Sequence, residues 1–152
     1  MYLQQELEKL KSNLSEINNF APSVSKQNVG WHIYHALMVM SGICSLIENS
    51  NPIEYKPKFS ILKWGILTTG IIPRGKAKAP KLVVPPETFN VSDLEILISR
   101  VELQIKDLEN RVENQFYRHH MFGDLNKKQT IKFIGIHTRH HLKIIRDIIK
   151  GN

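Results

Sequence analysis

The distribution of proline most constrains what this chain can fold into. Six of the seven prolines lie between residues 51 and 91, and the seventh is Pro22. Because proline lacks a backbone N–H and its ring clashes with the preceding turn, no long helix is expected to cross residues 51–91. We therefore expect regular helices on both sides of a long crossover, which has room for a short helix in "FSILKWGILTTG".

Hydrophobic periodicity predicts two helices before this crossover. In the first, an apolar stripe recurs at helical spacing and stops before Pro22. The stripe consists of Leu3, Leu7, Leu10, Leu14 and Ile17. The second helix is expected from about Ser25 to Glu48 and is apolar around most of its circumference. It is therefore predicted to be the most buried helix.

Two more helices are predicted after the crossover. The third opens at "SDLE", where Ser92 and Glu95 can form a capping box, and continues to about Tyr117. Its apolar positions are Leu94, Leu97, Val101, Leu108 and Val112. The fourth opens at an Asn126 cap and continues to Lys150.

The number and order of these helices predict the fold class. A chain of 152 residues, 41% of them hydrophobic, can bury one sizeable core, so residues 1–152 are expected to form a single domain. Four helices with one long connection describe an all-α four-helix bundle, with the Pro-rich crossover between helices two and three.

The same composition bears on location. The lone Cys44 cannot form an internal disulfide, which fits a reducing compartment. The N-terminus lacks the uninterrupted apolar stretch of a signal peptide. The apolar run "ILKWGILTTGII" is too short for a membrane span and carries Lys63. We therefore predict a cytoplasmic protein without a membrane partner.

The net charge of +7 is concentrated in two segments. Residues 55–86 hold seven Lys or Arg and no Asp or Glu, and residues 126–152 hold seven against one. Such segments can attract anions, nucleic acid included, although a basic pI more often reflects a solvated surface. The chain has no zinc-finger, aromatic RNA-binding or long arginine pattern, so nucleic acid is not an expected partner.

The fourth helix carries three histidines in "IHTRHH". His137 and His141 fall in the middle of its apolar face, four residues apart, so their imidazoles can converge on one point. One alternative for this pair is a surface or substrate role. If the pair is buried, it must either share a metal or hydrogen-bond within the core, because an unpartnered buried polar group costs about 1–3 kcal/mol. His140 falls at the edge of the charged side. His119 and His120 are expected as a charge feature at the C-terminal end of the third helix.

A third imidazole would decide between these two alternatives. The stretch "WHIYHALMV" places His32 and His35 on or beside the apolar arc of the second helix, with His32 closer to its centre, and either can meet the fourth helix. Three neutral imidazoles suit a late divalent ion, zinc or nickel foremost, and leave positions open for water, substrate or a thiolate. Cys44 lies roughly 13 Å along the helix from His35, which makes it a poor fourth ligand.

A histidine on the second helix followed, after a long crossover, by H-x-x-x-H on the last helix resembles the DinB-like superfamily of metal-binding four-helix bundles. The stretches "VGWHIYHALMV", "IPRGKAKAP" and "HMFGDLNKKQTIKFIGIHTRHH" are similar to an uncharacterised subfamily with an F-G-x-L turn before the last helix. The resemblance spans nearly the whole chain. It implies His35, His137 and His141 as the metal ligands, with His32 as the alternative to His35.

The resemblance also implies an activity. Members with known activities are thiol-dependent transferases and isomerases, in which the metal activates the thiolate of a low-molecular-weight thiol cofactor. Many relatives carry Arg-Gly-Gln after the last histidine, whereas this chain carries Leu142, Lys143 and Ile144. The expected function is therefore a divalent-metal-binding protein, with a metal-dependent transferase or hydrolase activity at an open three-histidine site. The alternative is a non-catalytic metal-binding, ligand-binding or interaction module.

The expected partner is a small molecule. If the crossover folds over the metal, the cations of "PRGKAKAPK" would favour an anionic substrate or cofactor. These cations are Arg74, Lys76, Lys78 and Lys81. The narrow apolar stripe of the first helix is also compatible with a homodimer.

Overall fold

The computed structural model describes residues 2–75 and 79–151, and five α-helices account for most of them. The helices are α1 (Tyr2–Lys11), α2 (Val29–Glu48), α3 (Ile61–Thr69), α4 (Val91–Asn110) and α5 (Lys127–Lys150). Two short strands, β1 (Phe116–His119) and β2 (Gly123–Asn126), pair in antiparallel fashion. The prediction of a mainly helical chain is confirmed, whereas the strands correct the all-α expectation. Lys76 and Lys78 lie outside the described residues.

Helix α2 lies at the centre of the core. It packs against α4 and α5, and α1 packs against the same two helices. The helix begins at Val29 and not near Ser25, because the Asn28 side chain accepts the N–H of Trp31 and caps it there. By length and composition α2 could cross a membrane, but 56% of that apolar stretch is buried inside the fold. Its hydrophobicity is thus that of a core helix.

Helix α1 is shorter than its apolar stripe predicts. It ends at Lys11, and the chain continues as a 3-10 turn at Leu14–Glu16. The side chains of Ser12 and Asn13 both bond to the backbone oxygen of Lys9. Such local hydrogen bonds compete with helix propagation, so the stripe continues past the end of the helix.

Both ends of α4 differ from the predicted ones. Its cap is Asn90, which forms a reciprocal capping box with Asp93, so the predicted pair of Ser92 and Glu95 is not used. At the other end α4 stops at Asn110. Val112 therefore falls outside the helix and is 59% exposed.

The residues between α4 and α5 form a β-hairpin instead of a helix end. Phe116 pairs with Asn126 and His119 pairs with Gly123, whose φ of 71° is the left-handed conformation that glycine adopts readily. The prediction that His119 and His120 close a helix is therefore wrong. The His119 ring is buried, and its Nδ1 accepts the N–H groups of residues 121 and 122 in the turn.

Helix α5 begins as predicted. The Asn126 side chain accepts the N–H of Gln129, and the Gln129 side chain accepts the N–H of Asn126. The helix continues to Lys150, so its 24 residues carry every histidine of "IHTRHH" on one regular element. Because the cap and the helix length are both predicted from the sequence, the relative placement of His137 and His141 is predictable as well.

The crossover contains the short helix that the sequence allows. The Ser60 side chain caps α3 by accepting the N–H of Lys63, and Gly70 ends it with a φ of 68°. A 3-10 turn follows at Lys81–Val83. This last segment packs against α2, so the crossover returns to the core beside the histidines.

Candidate metal centre

Helices α2 and α5 bring three imidazoles into one triangle. His35, His137 and His141 each offer a ring nitrogen, and the three nitrogens lie within 4.8 Å of one another. The ring centroids are 5.2 Å apart for His35 and His137, and 4.7 Å apart for each of the other two pairs. We call these three residues the histidine triangle.

The size of the triangle suits one metal ion. A tetrahedral zinc ion with Zn–N bonds of about 2.0–2.1 Å requires ligand nitrogens roughly 3.3 Å apart. Movements on the order of 1 Å, within reach of small side-chain rotations, would bring the three nitrogens from their present spacing to that distance. The histidine triangle can therefore hold a divalent ion without rearrangement of the helices.

His35 is oriented by the crossover. Its Nδ1 lies 2.7 Å from the backbone oxygen of Val83. A carbonyl oxygen only accepts, so Nδ1 must carry the proton and Nε2 must carry the lone pair. Metal-ligating histidines usually make this kind of second hydrogen bond, which fixes both the ring and its tautomer. Trp31 stacks on the same ring, with centroids 5.0 Å apart.

His32 is placed beside the triangle, in contact with His141. The Nδ1 atoms of the two rings are 3.0 Å apart, and Nε2 of His32 lies 2.9 Å from Oγ of Ser25. The group of nitrogens spaced for a metal contains His35 and does not contain His32. This geometry favours His35 over the alternative that helical projection left open.

His137 has an unsatisfied buried nitrogen. Its side chain is partly exposed, but Nδ1 is enclosed and has no hydrogen-bond partner among the described residues. An unpaired buried polar atom costs about 1–3 kcal/mol and calls for an explanation. A metal ion bound to this ring in the histidine triangle would supply a partner. The unpaired nitrogen is therefore the observation that best fits a metal site.

Burial keeps the imidazoles in the neutral form that binds metals. Loss of solvent lowers the pKa of His137 to about 3 and that of His32 to about 4. It lowers the pKa of His35 despite the opposing hydrogen bond to Val83. The pKa of His141 falls well below its usual range, first by burial and then by the neighbouring histidines. Three neutral ligands leave the charge of a bound divalent ion uncompensated, so the site would attract anions.

The crossover places one described cation at the edge of this site. Arg74 lowers the pKa of both His32 and His140, although burial is the larger cause in each case. A hydrogen bond that the His140 ring donates to the backbone oxygen of Ile72 raises the pKa of His140 and so acts in the opposite direction. Arg74 itself pairs with Asp147 at 2.7 Å. The loop expected to favour anions thus reaches the C-terminal half of α5.

Cys44 does not offer a thiolate to the site. It is buried in the core, and burial raises the pKa of its thiol to about 12. The thiol is therefore protonated at neutral pH. Any thiolate that reaches a metal in the histidine triangle must come from another molecule.

A surface groove of about 350 Å³ lies apart from the histidines. It runs between the crossover and the first turns of α5, and none of the triangle residues lines it. Its lining includes Lys58, Lys63, Trp64 and Lys132. This groove is therefore not the entrance to the histidine triangle.

Comparison with known proteins identifies no relative: no protein family, curated protein or solved structure matches this chain. The resemblance to the DinB-like superfamily therefore stays a prediction from the residue pattern.

Sequence reasoning missed two parts of the site. The backbone oxygen of Val83 orients His35, and the Ser25 hydroxyl contacts His32. A backbone carbonyl carries no residue-type signal. The periodicity indicates Ser25 only as the approximate start of the second helix, and its seven-residue separation from His32 does not by itself predict a contact.

The buried neutral histidines predict a strong loss of stability in mild acid. The residues concerned are His32, His35, His119, His137 and His141. Each takes up a proton in the unfolded chain near pH 6.5 but not in the folded protein, so the free energy of unfolding decreases as pH falls below 6.5. Each contributes a slope of about 1.4 kcal/mol per pH unit down to its folded pKa.

Urea unfolding of the metal-free protein between pH 7.5 and 4.5 measures this effect. We expect more than one proton to be taken up on unfolding near pH 5.5. A free energy of unfolding that stays constant over this range would contradict the burial of neutral histidines.

Proposed function

We propose that this protein is a divalent-metal-binding helical bundle of the DinB-like type and that its metal site is catalytic. The observation that carries the proposal is the histidine triangle, in which three ring nitrogens lie within 4.8 Å and one ring lacks a partner for its buried Nδ1. His35, His137 and His141 are the proposed ligands, and zinc or nickel is the proposed ion.

The proposed reaction class follows from the donor set. Structural zinc sites usually have four protein ligands, whereas three imidazoles leave a position for water or substrate. A bound ion would supply Lewis acidity, which lowers the pKa of a coordinated water or thiol. We therefore propose a hydrolase or a transferase that uses a low-molecular-weight thiol.

The chain's own residues have defined tasks in this proposal. The Val83 oxygen fixes the tautomer of His35 and so leaves the lone pair on Nε2 for a metal ion. Trp31 stacks on a face of that ring and would help to hold its orientation. Arg74, close enough to influence His32 and His140, would attract the negative charge of a small anionic substrate.

A second candidate function is favoured by the enclosure of the site. His35 and His141 are only 4% and 7% exposed, and the described groove of about 350 Å³ lies elsewhere. A site this closed would also suit a metal-binding or ligand-binding module without catalysis. The two candidates share the metal and differ in whether a substrate reaches it.

Metal binding is the first test. Tag-free protein, stripped with a chelator and reloaded with Zn²⁺ or Ni²⁺, should bind one ion per chain by elemental analysis and calorimetry. His35→Ala, His137→Ala and His141→Ala should each weaken binding by at least about 100-fold, because losing a ligand is worse than losing an outer-shell contact.

The matched control is His120→Ala, which removes an exposed histidine outside the triangle and should bind the ion as the wild type does. A wild-type protein that takes up no ion after loading would remove the metal proposal. Equal binding by the triangle variants would place the ion elsewhere.

Catalysis is tested separately on the loaded protein. A panel of thiol adducts and hydrolysable esters or amides should reveal turnover that disappears with the chelator and with His137→Ala. If the fully loaded protein leaves the whole panel unchanged, the non-catalytic module becomes the better account.

A further inference from the structure

A chain of three polar side chains runs from the segment before α2 to the histidine triangle. Oγ of Ser25 lies 2.9 Å from Nε2 of His32, and Nδ1 of His32 lies 3.0 Å from Nδ1 of His141. Both rings are buried, with 4% of His32 and 7% of His141 exposed. The contacts join the segment before α2 to α5 across the core.

The short contact between the two rings fixes how many protons they share. Two Nδ1 atoms at 3.0 Å form a hydrogen bond only if one of them carries a proton and the other carries a lone pair. Two arrangements satisfy this condition. Either His141 donates to His32, or His32 donates to His141.

The two arrangements differ at the far side of each ring. If His141 donates from Nδ1, its Nε2 is a bare lone pair, and His32 donates from Nε2 to Ser25. If His32 donates from Nδ1, the proton of His141 sits on Nε2, which is then blocked as a ligand. The hydrogen-bond order along the chain therefore decides whether His141 can bind a metal.

The surroundings favour the first arrangement. The Ser25 hydroxyl fits both arrangements, because Oγ accepts the N–H of Gln27 at 3.1 Å and can still either accept a proton from Nε2 of His32 or donate one to it. In the second arrangement the Nε2–H of His141 would have no acceptor within hydrogen-bond distance among the described residues. The first arrangement is also the one that leaves a lone pair on Nε2 of His141 for a metal ion, as the proposed function requires.

We propose that His32 is a positioning residue, which with Ser25 holds His141 in the tautomer that turns the Nε2 lone pair into the histidine triangle. The proposal deepens the metal-binding function and rests on it, but the tautomer exists with or without an ion. His32 thus does for His141 what the Val83 carbonyl does for His35. The difference is that the Val83 carbonyl can only accept a hydrogen bond, whereas Nδ1 of His32 can either accept one from His141 or donate one to it.

The tautomer is measured directly by long-range ¹H–¹⁵N NMR of the metal-free protein. In the wild type we expect His141 to carry its proton on Nδ1 and His32 to carry its proton on Nε2. In His32→Leu the acceptor is lost, and His141 should populate both tautomers. A wild-type His141 protonated on Nε2 overturns the proposal even if no variant can be purified.

Zn²⁺ affinity provides the second readout. His32→Leu should weaken binding by roughly 10- to 100-fold, the usual effect of an outer-shell partner. His32→Asn should restore most of that affinity, because its Oδ1 can replace Nδ1 as the acceptor for His141. A merely structural role for His32 predicts no such rescue.

The matched control is Thr130→Val. Its hydroxyl is fully buried and donates to the Leu125 oxygen at the start of α5, so the variant loses a core hydrogen bond outside the site. It should lose stability and keep the Zn²⁺ affinity.

If His32→Leu binds Zn²⁺ as tightly as the wild type does, the positioning role is wrong while metal binding stands. If the wild type binds no Zn²⁺ but shows the expected tautomers, the metal function is wrong while the positioning role stands.

Discussion

The packing of α2 against α5 is the constraint on which the rest of the structure depends. It brings four imidazoles together between two helices, buries the rings of His32, His35 and His141, and encloses Nδ1 of His137, so that water no longer satisfies these groups. Each ring must then find another partner or remain unpaired at a cost of about 1–3 kcal/mol. Val83 serves His35, and Ser25 with His32 serves His141. Nδ1 of His137 has no hydrogen-bond partner among the described residues, and this unpaired nitrogen supports the proposed metal site.

These buried imidazoles are expected to lower the stability of the fold in mild acid. A core filled with aliphatic side chains at the same positions would need no partners and would not lose stability in mild acid. Proteins retain such locally unfavourable groups mainly where they serve a function. The crossover supports the same interpretation, since it contributes a hydrogen bond to His35 and carries Arg74 to the edge of the site.

The sequence predicts which histidines come together better than it predicts the ends of the elements around them. The spacing of His137 and His141 follows from helical geometry once the Asn126 cap fixes the start of α5. Choosing His35 over His32 required the family resemblance, because projection onto α2 depends on where the partner helix lies. The hairpin around Gly123 was missed, since four-residue strands carry too little periodicity to be recognised. The role of Val83 belongs to a backbone oxygen and has no sequence signal.

The proposed metal site is tested most directly by anomalous X-ray diffraction from crystals of the zinc-loaded protein, recorded on both sides of the zinc absorption edge. We expect one strong anomalous peak about 2.0–2.1 Å from a ring nitrogen of each of His35, His137 and His141. For His35 and His141 that nitrogen should be Nε2. The absence of a peak among these three rings, or a peak bound elsewhere such as at His119 and His120, would contradict it.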